Sequence, residues 1–158
     1  MRKLFYKIAI FFLFFWELPQ NLAGLFRIYI VNIGKKKIRM HDGFEAGSSV
    51  FFLERGCPAG VCLGEFICFP YWSFTSVNKA DKQHERGHRV QSRILGPLYL
   101  ILVGIPSLFR NLSFRRKQRN QGKYPFYKLV KWYYHGYPEN WADKLGNVSG
   151  RKINGVKI

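Results

Sequence analysis

Acidic side chains are scarce in this sequence. Nine Asp and Glu stand against 26 Lys and Arg among 158 residues, a formal charge of +17. That balance excludes an acidic, solvating tail and favours anionic partners. It also makes the place of each carboxylate informative. Cysteine is sparse too: Cys57, Cys62 and Cys68 are an odd number, which argues against a disulfide framework. Their spacing lacks the paired C-x-x-C of a cysteine zinc cluster. They read as small hydrophobes, with Cys62 and Cys68 on one face of an alternating stretch from Val61 to Phe69. No segment repeats with a fixed period, which excludes a solenoid or a propeller. No uninterrupted apolar run reaches the roughly 20 residues that a helix needs to cross a bilayer.

What is present is apolar and aromatic, at 47% and 18% of the residues. A disordered basic segment is therefore excluded, and the length suits one domain. The apolar content is uneven, with one run from Phe5 to Phe15 and another from Ile94 to Phe109. The charged start and the stretch Ile8 to Trp16 have the outline of a signal sequence without a small-x-small cleavage site, so the segment is read as retained. Glu17, Pro19, Gln20 and Asn21 interrupt it before Leu22 to Ile33 resumes the pattern. Residues 1–33 are thus expected to form an apolar, membrane-associated segment, as a tilted anchor, a broken hairpin or an interfacial helix. The basic start places its N-terminus on the cytoplasmic side of the inner or cytoplasmic membrane.

From the basic cluster Lys35, Lys36, Lys37 and Arg39 to Phe69 the chain reads as short strands, of which Val50 to Leu53 and Val61 to Phe69 are the best formed. Lys79 to Leu95 lacks Pro and follows two capping residues, Ser76 and Asn78, so a helix of four to five turns is expected there. Pro97 is placed to open an apolar helix from Leu98 to Phe109, weakened at its far end by Gly104 and Pro106. The basic run from Arg110 to Lys123 is expected as a polar connection that attracts anionic lipid headgroups. Tyr124 to Leu145 is expected to be largely helical, and residues 146–158 to be a flexible basic tail.

Within the first of these helices lies His84-Glu85-Arg86-Gly87-His88, an H-E-x-x-H sequence. The i, i+4 spacing puts both imidazoles on one face, close enough to hold one Zn²⁺. Glu85 adjoins the first ligand, where a carboxylate can take the proton of a water attacking a carbonyl. A catalytic zinc takes a third protein ligand. Glu139-Asn140-Trp141-Ala142-Asp143 supplies one. On a helix Glu139 and Asp143 share a face, so that Glu139 binds the metal while Asp143 accepts a hydrogen bond from a ligand histidine. His135, Tyr133, Tyr134 and Tyr137 are near enough in sequence to act as a transition-state donor, and His135 is the choice among them.

H-E-x-x-H followed by E-x-x-A-D resembles the gluzincin zinc metallopeptidases, and most of all the membrane branch with the CAAX prenyl proteases and heat-shock membrane proteases. Small bacterial proteins with an H-E-x-G-H-x-x-Q-S helix before a Gly-Pro-Leu-Tyr stretch, here Gly96 to Tyr99, are similar as well. The resemblance implies that His84, His88 and Glu139 are zinc ligands, that Glu85 is the general base and that Asp143 supports a ligand histidine. It implies residues 34–145 as a minimal zincin-like domain acting on a peptide or protein. It also implies a substrate-pairing role for the strand Val61 to Phe69, although an ordinary internal strand accounts for it equally. Lys144 stands where the family usually has Arg, and the chain is shorter than most active members.

The expected fold is α+β, with zincin-like helices, a small antiparallel sheet and an N-terminal apolar helix. Two other readings compete. One is a basic membrane- or nucleic-acid-binding protein with a vestigial metal site, although no nucleic-acid module is recognisable. The other is a membrane-active protein using Leu4 to Ile33.

Overall fold

The computed structural model describes residues 11–40, 49–57, 59–120, 125–153 and 156–157. The first part of the expected apolar helix, residues 4–10, lies outside them. Residues 11–16 are helical, and the Asn21 amide reaches the Glu17 carbonyl at 2.9 Å. The rod therefore continues into α1 (Leu18–Leu25) and a π-helical segment, Phe26–Val31. Among the described residues no helix is long and apolar enough to cross a membrane.

The architecture is α+β around a four-stranded sheet of β1 (Lys37–Met40), β2 (Ser49–Leu53), β3 (Val61–Leu63) and β4 (Phe66–Pro70), in the order β1-β2-β4-β3. The sheet is mixed where an antiparallel one is expected, because β4 lies parallel to β2, with Val50 opposite Ile67. The expected single strand from Val61 to Phe69 is a hairpin, turning at Gly64 (φ +60°), a backbone conformation that favours glycine. Cys62 then pairs with Ile67 across the hairpin, and Cys68 falls on the opposite face. Cys68 packs with Ile28, Phe51, Leu53 and Cys57, whereas Cys62 packs with Val50, Phe52, Ile67 and Phe69. All three thiols are free and buried. Burial pushes the Cys68 thiol up to about 12 and raises the other two well above the ordinary thiol value, so they stay protonated core groups.

The expected motif helix forms as α2 (Lys79–Leu95), capped by the Asn78 side chain, which accepts the Asp81 amide at 2.8 Å. Gly96 (φ +53°) ends it. A 3₁₀ turn, Gly96–Leu98, and a π-helical segment, Leu100–Gly104, lead into α3 (Ile105–Arg119). Pro106 sits where the π-helical segment passes into α3. Helix thus replaces the expected polar connection as far as Arg119. The aromatic segment makes two helices, α4 (Phe126–His135) and α5 (Glu139–Leu145). Beyond Gly146 the tail returns to the body, burying Arg151, and Lys152–Ile153 (β5) pairs with Val156–Lys157 (β6).

On the first rod the inward face is largely polar and the outward face apolar. Along the first rod Glu17, Gln20, Asn21, Gly24, Ile28 and Asn32 are buried, at helical spacing, whereas Leu22, Phe26, Tyr29, Ile30 and Ile33 are exposed. The second rod exposes Ile94, Leu98, Ile101, Leu102, Ile105, Leu108, Phe109 and Leu112, again one stripe. Of the residues that interrupt the N-terminal apolar run in the sequence, Glu17 and Gln20 face α2, Asn21 faces the β3–β4 turn, and Pro19 is exposed. Ser92 Oγ donates to Glu17 Oε1 at 2.5 Å, Gln20 Nε2 reaches Ser92 Oγ and the Gly96 carbonyl at 3.0 Å each, and Asn21 Oδ1 accepts the Glu65 amide at 2.7 Å. Arg89, fully buried in α2, pairs with Glu65 at 2.6 Å.

Two glycines let α5 lie directly on α2. A Cβ on Gly87 would stand 1.8 Å from the Ala142 carbonyl oxygen, and one on Gly146 would stand 1.8 Å from that of Gln83. These contacts are backbone, so no side-chain rotation relieves them. Gly104 differs, since a Cβ there meets nothing nearer than a Leu100 methyl at 3.4 Å and its φ of −59° is helical. Gly87→Ala is expected to destabilise the fold by at least about 1–3 kcal/mol through overpacking. Gly104→Ala should stabilise it by about 0.4–1 kcal/mol. Unfolding midpoints of the two variants in detergent should therefore move in opposite directions.

Candidate metal centre

His84 and His88 occupy successive turns of α2, and Glu139 opens α5 across the Gly87 contact. Glu139 Oε2 lies 2.9 Å from His84 Nε2 and 3.2 Å from His88 Nε2. All three residues are buried. The other nitrogen of each imidazole is already engaged. His84 Nδ1 stands 2.6 Å from Asp143 Oδ1, and His88 Nδ1 stands 2.8 Å from Gln91 Oε1. Gln91 Nε2 donates to the Pro138 carbonyl at 3.2 Å, which orients the amide so that its oxygen faces His88. Both partners are acceptors, so each imidazole carries its proton on Nδ1 and turns the Nε2 lone pair towards Glu139.

Three lone pairs therefore converge in a space closed to solvent. Such an arrangement requires a cation, either a proton or a metal ion. The donor set, two imidazoles and one carboxylate, suits a divalent first-row metal. Atoms bound at about 2.0–2.1 Å in a tetrahedral site lie roughly 3.3–3.4 Å apart. The observed 2.9 and 3.2 Å reach that spacing after a slight opening of the cluster.

With a proton in that place the electrostatics are those of an ion pair. Burial alone would raise the Glu139 carboxyl, but hydrogen bonds from His84 and His88 hold it far below the usual carboxylate range. Burial lowers His84, and the hydrogen bonds to Asp143 and Glu139 outweigh it, bringing the imidazole to about 9. Ser107 Oγ, on α3, donates to Glu139 Oε1 at 2.6 Å. One carboxylate oxygen is thereby occupied and the other is left to the histidines.

Glu85 is buried against the chain just ahead of β3. A Cβ on Gly60 would stand 2.3 Å from Glu85 Oε1, so only glycine leaves room for the carboxylate. Its Oε2 is buried and has no hydrogen-bond partner among the described residues. Burial pushes the carboxyl above its ordinary value, against the pull of His84 and His88. A buried carboxyl with a free oxygen beside a metal-type ligand set is the arrangement that proton transfer needs.

The residues named from the two motifs are thus brought together: His84, His88 and Glu139 as a cluster, Asp143 on His84, and Glu85 beside them. His135 stands apart. Its ring is exposed at the end of α4 and lines a cavity of about 250 Å³ with Tyr134, Asp143 and Arg151. Tyr134 is nearer, with its ring packed edge-on to His84 at 5.2 Å. The strand expected to pair with a substrate divides into an edge strand, β3, and an internal one, β4. The Tyr99 hydroxyl donates to the Cys62 carbonyl of β3 at 3.2 Å. Gly87, Gln91, Ser107 and Arg151 take part without having been singled out. A glycine inside the motif helix hinted at a close approach, whereas Ser107 and Arg151 sit in segments that advertise only an apolar helix and a tail.

No family model, no curated protein and no solved structure matches the chain. The likeness to gluzincins accordingly rests on the two short motifs.

Elemental analysis or a zinc titration of the purified chain should give one divalent ion per molecule. Binding should be lost in Glu139→Ala and His88→Ala. Ser107→Ala, which frees only the outer oxygen of Glu139, should weaken it by about tenfold.

Proposed function

We propose that the protein is a membrane-associated, zinc-dependent peptidase in the manner of the gluzincins, hydrolysing peptide bonds of a protein or peptide substrate. One observation carries the reading: two imidazole Nε2 atoms and Glu139 Oε2 meet in a buried cluster, with the buried carboxyl of Glu85 alongside, whose Oε2 has no hydrogen-bond partner among the described residues. His84, His88 and Glu139 would hold the ion, which when bound supplies a Lewis acid that acidifies water and polarises a carbonyl. Asp143 and Gln91 keep the two imidazoles in the tautomer that offers Nε2. Ser107 keeps Glu139 turned towards them. Glu85 accepts a proton from the attacking water and returns it to the leaving amine, and its burial raises its affinity for that proton. Tyr134, whose ring packs on His84, and His135, on the cavity beside Asp143, would be the donors to a developing oxyanion.

The outward apolar stripes support the membrane part of the reading. Polar groups turned inward and large apolar side chains turned outward are the distribution suited to lipid. Basic residues near their ends, from Lys35 to Arg39 and from Arg110 to Arg119, favour anionic headgroups. The basic start puts the N-terminus on the cytoplasmic side.

Glu85→Gln separates an enzyme from a vestigial metal site. The variant should bind zinc as the wild type does, whereas cleavage of a peptide library, present in the wild type and stopped by a chelator, should fall at least 100-fold. A wild type that holds zinc and cleaves nothing would support the vestigial reading. The expressed chain should also sediment with membranes and stay there through a high-salt wash. Release by salt alone would mean that the charges hold it and the apolar stripes do not.

A further inference from the structure

Arg151 reaches the metal centre from a segment that the sequence marks as a tail. Its Nη2 donates to Asp143 Oδ1 at 2.9 Å, and that oxygen is the one that accepts His84 Nδ1–H at 2.6 Å. Its Nη1 donates to Asp81 Oδ1 at 3.3 Å, in the first turn of α2. The guanidinium carbon lies 3.3 Å from the centre of the Tyr134 ring, which in turn packs against His84. One side chain thus touches α2, α4 and α5, the first and last of which bear the ligands. Arg151 is 9% exposed, although a positive charge so far from water needs partners to remain there.

Asp143 has a reason to need this contact. A carboxylate shared between an imidazole N–H and a guanidinium is held ionised and in one orientation, and both properties make the imidazole a better ligand. The side chain of Asp143 is 23% exposed, so without Arg151 it is free to turn towards solvent. The backbone is bent to deliver the arginine: Asn147 (φ +51°) and Gly150 (φ +71°) both adopt the left-handed conformation that reverses the chain. The two turns carry the chain from the end of α5 back alongside it.

We infer that Arg151 is a positioning residue for the metal centre: through Asp143 it fixes His84, so the last segment of the chain completes the site. The inference rests on the metal reading given above. The test uses the full chain and zinc itself, with affinities measured by competition against a chelator and with the absorption spectrum of the cobalt(II) form as a second readout.

Arg151→Ala is expected to weaken zinc binding by about 10-fold and to alter the cobalt(II) spectrum. Arg151→Gln, which keeps a donor and loses the charge, should lose several-fold, and Arg151→Lys, which keeps the charge but not the fork that spans Asp81 and Asp143, should lose less than Arg151→Ala. Asp143→Asn should cost about 10–100-fold, and adding Arg151→Ala to it should cost less than about twofold more, because the arginine acts through that carboxylate. Wild-type affinity and spectrum in Arg151→Gln and Arg151→Ala would overturn the inference. So would losses that multiply in the double variant, which is what a general loosening of the fold produces. Should Arg151→Ala fail to fold, the Gln variant decides alone. A wild-type chain that binds no zinc would overturn the metal reading itself, a result distinct from any of these.

Discussion

Two imidazoles whose Nδ1 protons are held by Asp143 and Gln91 have no choice but to direct their remaining lone pairs at Glu139. Three acceptors cannot share a buried space without a positive charge between them. The rest of the helical architecture is arranged to make them do so. The absence of a side chain at Gly87 lets the Ala142 carbonyl rest on α2, and Glu139 and Asp143 lie to either side of that contact. Ser107 then occupies the outer carboxylate oxygen. The cluster is a product of backbone proximity as much as of ligand chemistry.

A few carboxylates serve the inside of a very basic chain. Of the nine, Glu17, Glu65, Glu85 and Glu139 are buried, and each lies on or beside α2. Glu65 meets Arg89, and Glu17 is hydrogen-bonded to Ser92 while burial raises its carboxyl above the ordinary value. Buried pairs of this kind contribute little net stability, because desolvation offsets most of their attraction. What they supply is registration. Glu17, Gln20 and Asn21 can dock only where Ser92, Gly96 and the Glu65 amide await them, and that sets the N-terminal rod against the motif helix. The apolar residues displaced from such an interior line the outside.

The legible parts of the fold were those governed by local rules. The motif helix begins after Asn78 because its side chain accepts the Asp81 amide, and ends where Gly96 takes a positive φ; both signals stand in the sequence. Ser49–Leu53 is a strand for its run of β-branched and aromatic residues. Illegible were the places where distant chain decides. The alternation from Val61 to Phe69 is equally compatible with one strand or with two around Gly64, and Asn21 Oδ1 on the Glu65 amide helps to hold the turn. Glu17 and Gln20 read as a break because nothing near them in sequence shows that Ser92 will satisfy them. Arg151 read as tail because its partners Asp81 and Asp143 are met only through space.

By itself the amino-acid order determined which groups share a helical face. Spacings of four residues put His84 beside His88 and Glu139 beside Asp143, since 3.6 residues per turn leave no alternative once both segments are helical. It determined as well that three of the few acids, Glu85, Glu139 and Asp143, belong to the two motifs. That the faces meet, in which tautomer the imidazoles stand, and that a serine from an apolar helix and an arginine from the tail join them were decided only by the tertiary structure. The reason is that Gly87, Ser107 and Arg151 act through contacts of a few ångströms across long stretches of chain, and Gln91, one turn from His88, is oriented by the distant Pro138 carbonyl; no periodicity records such distances.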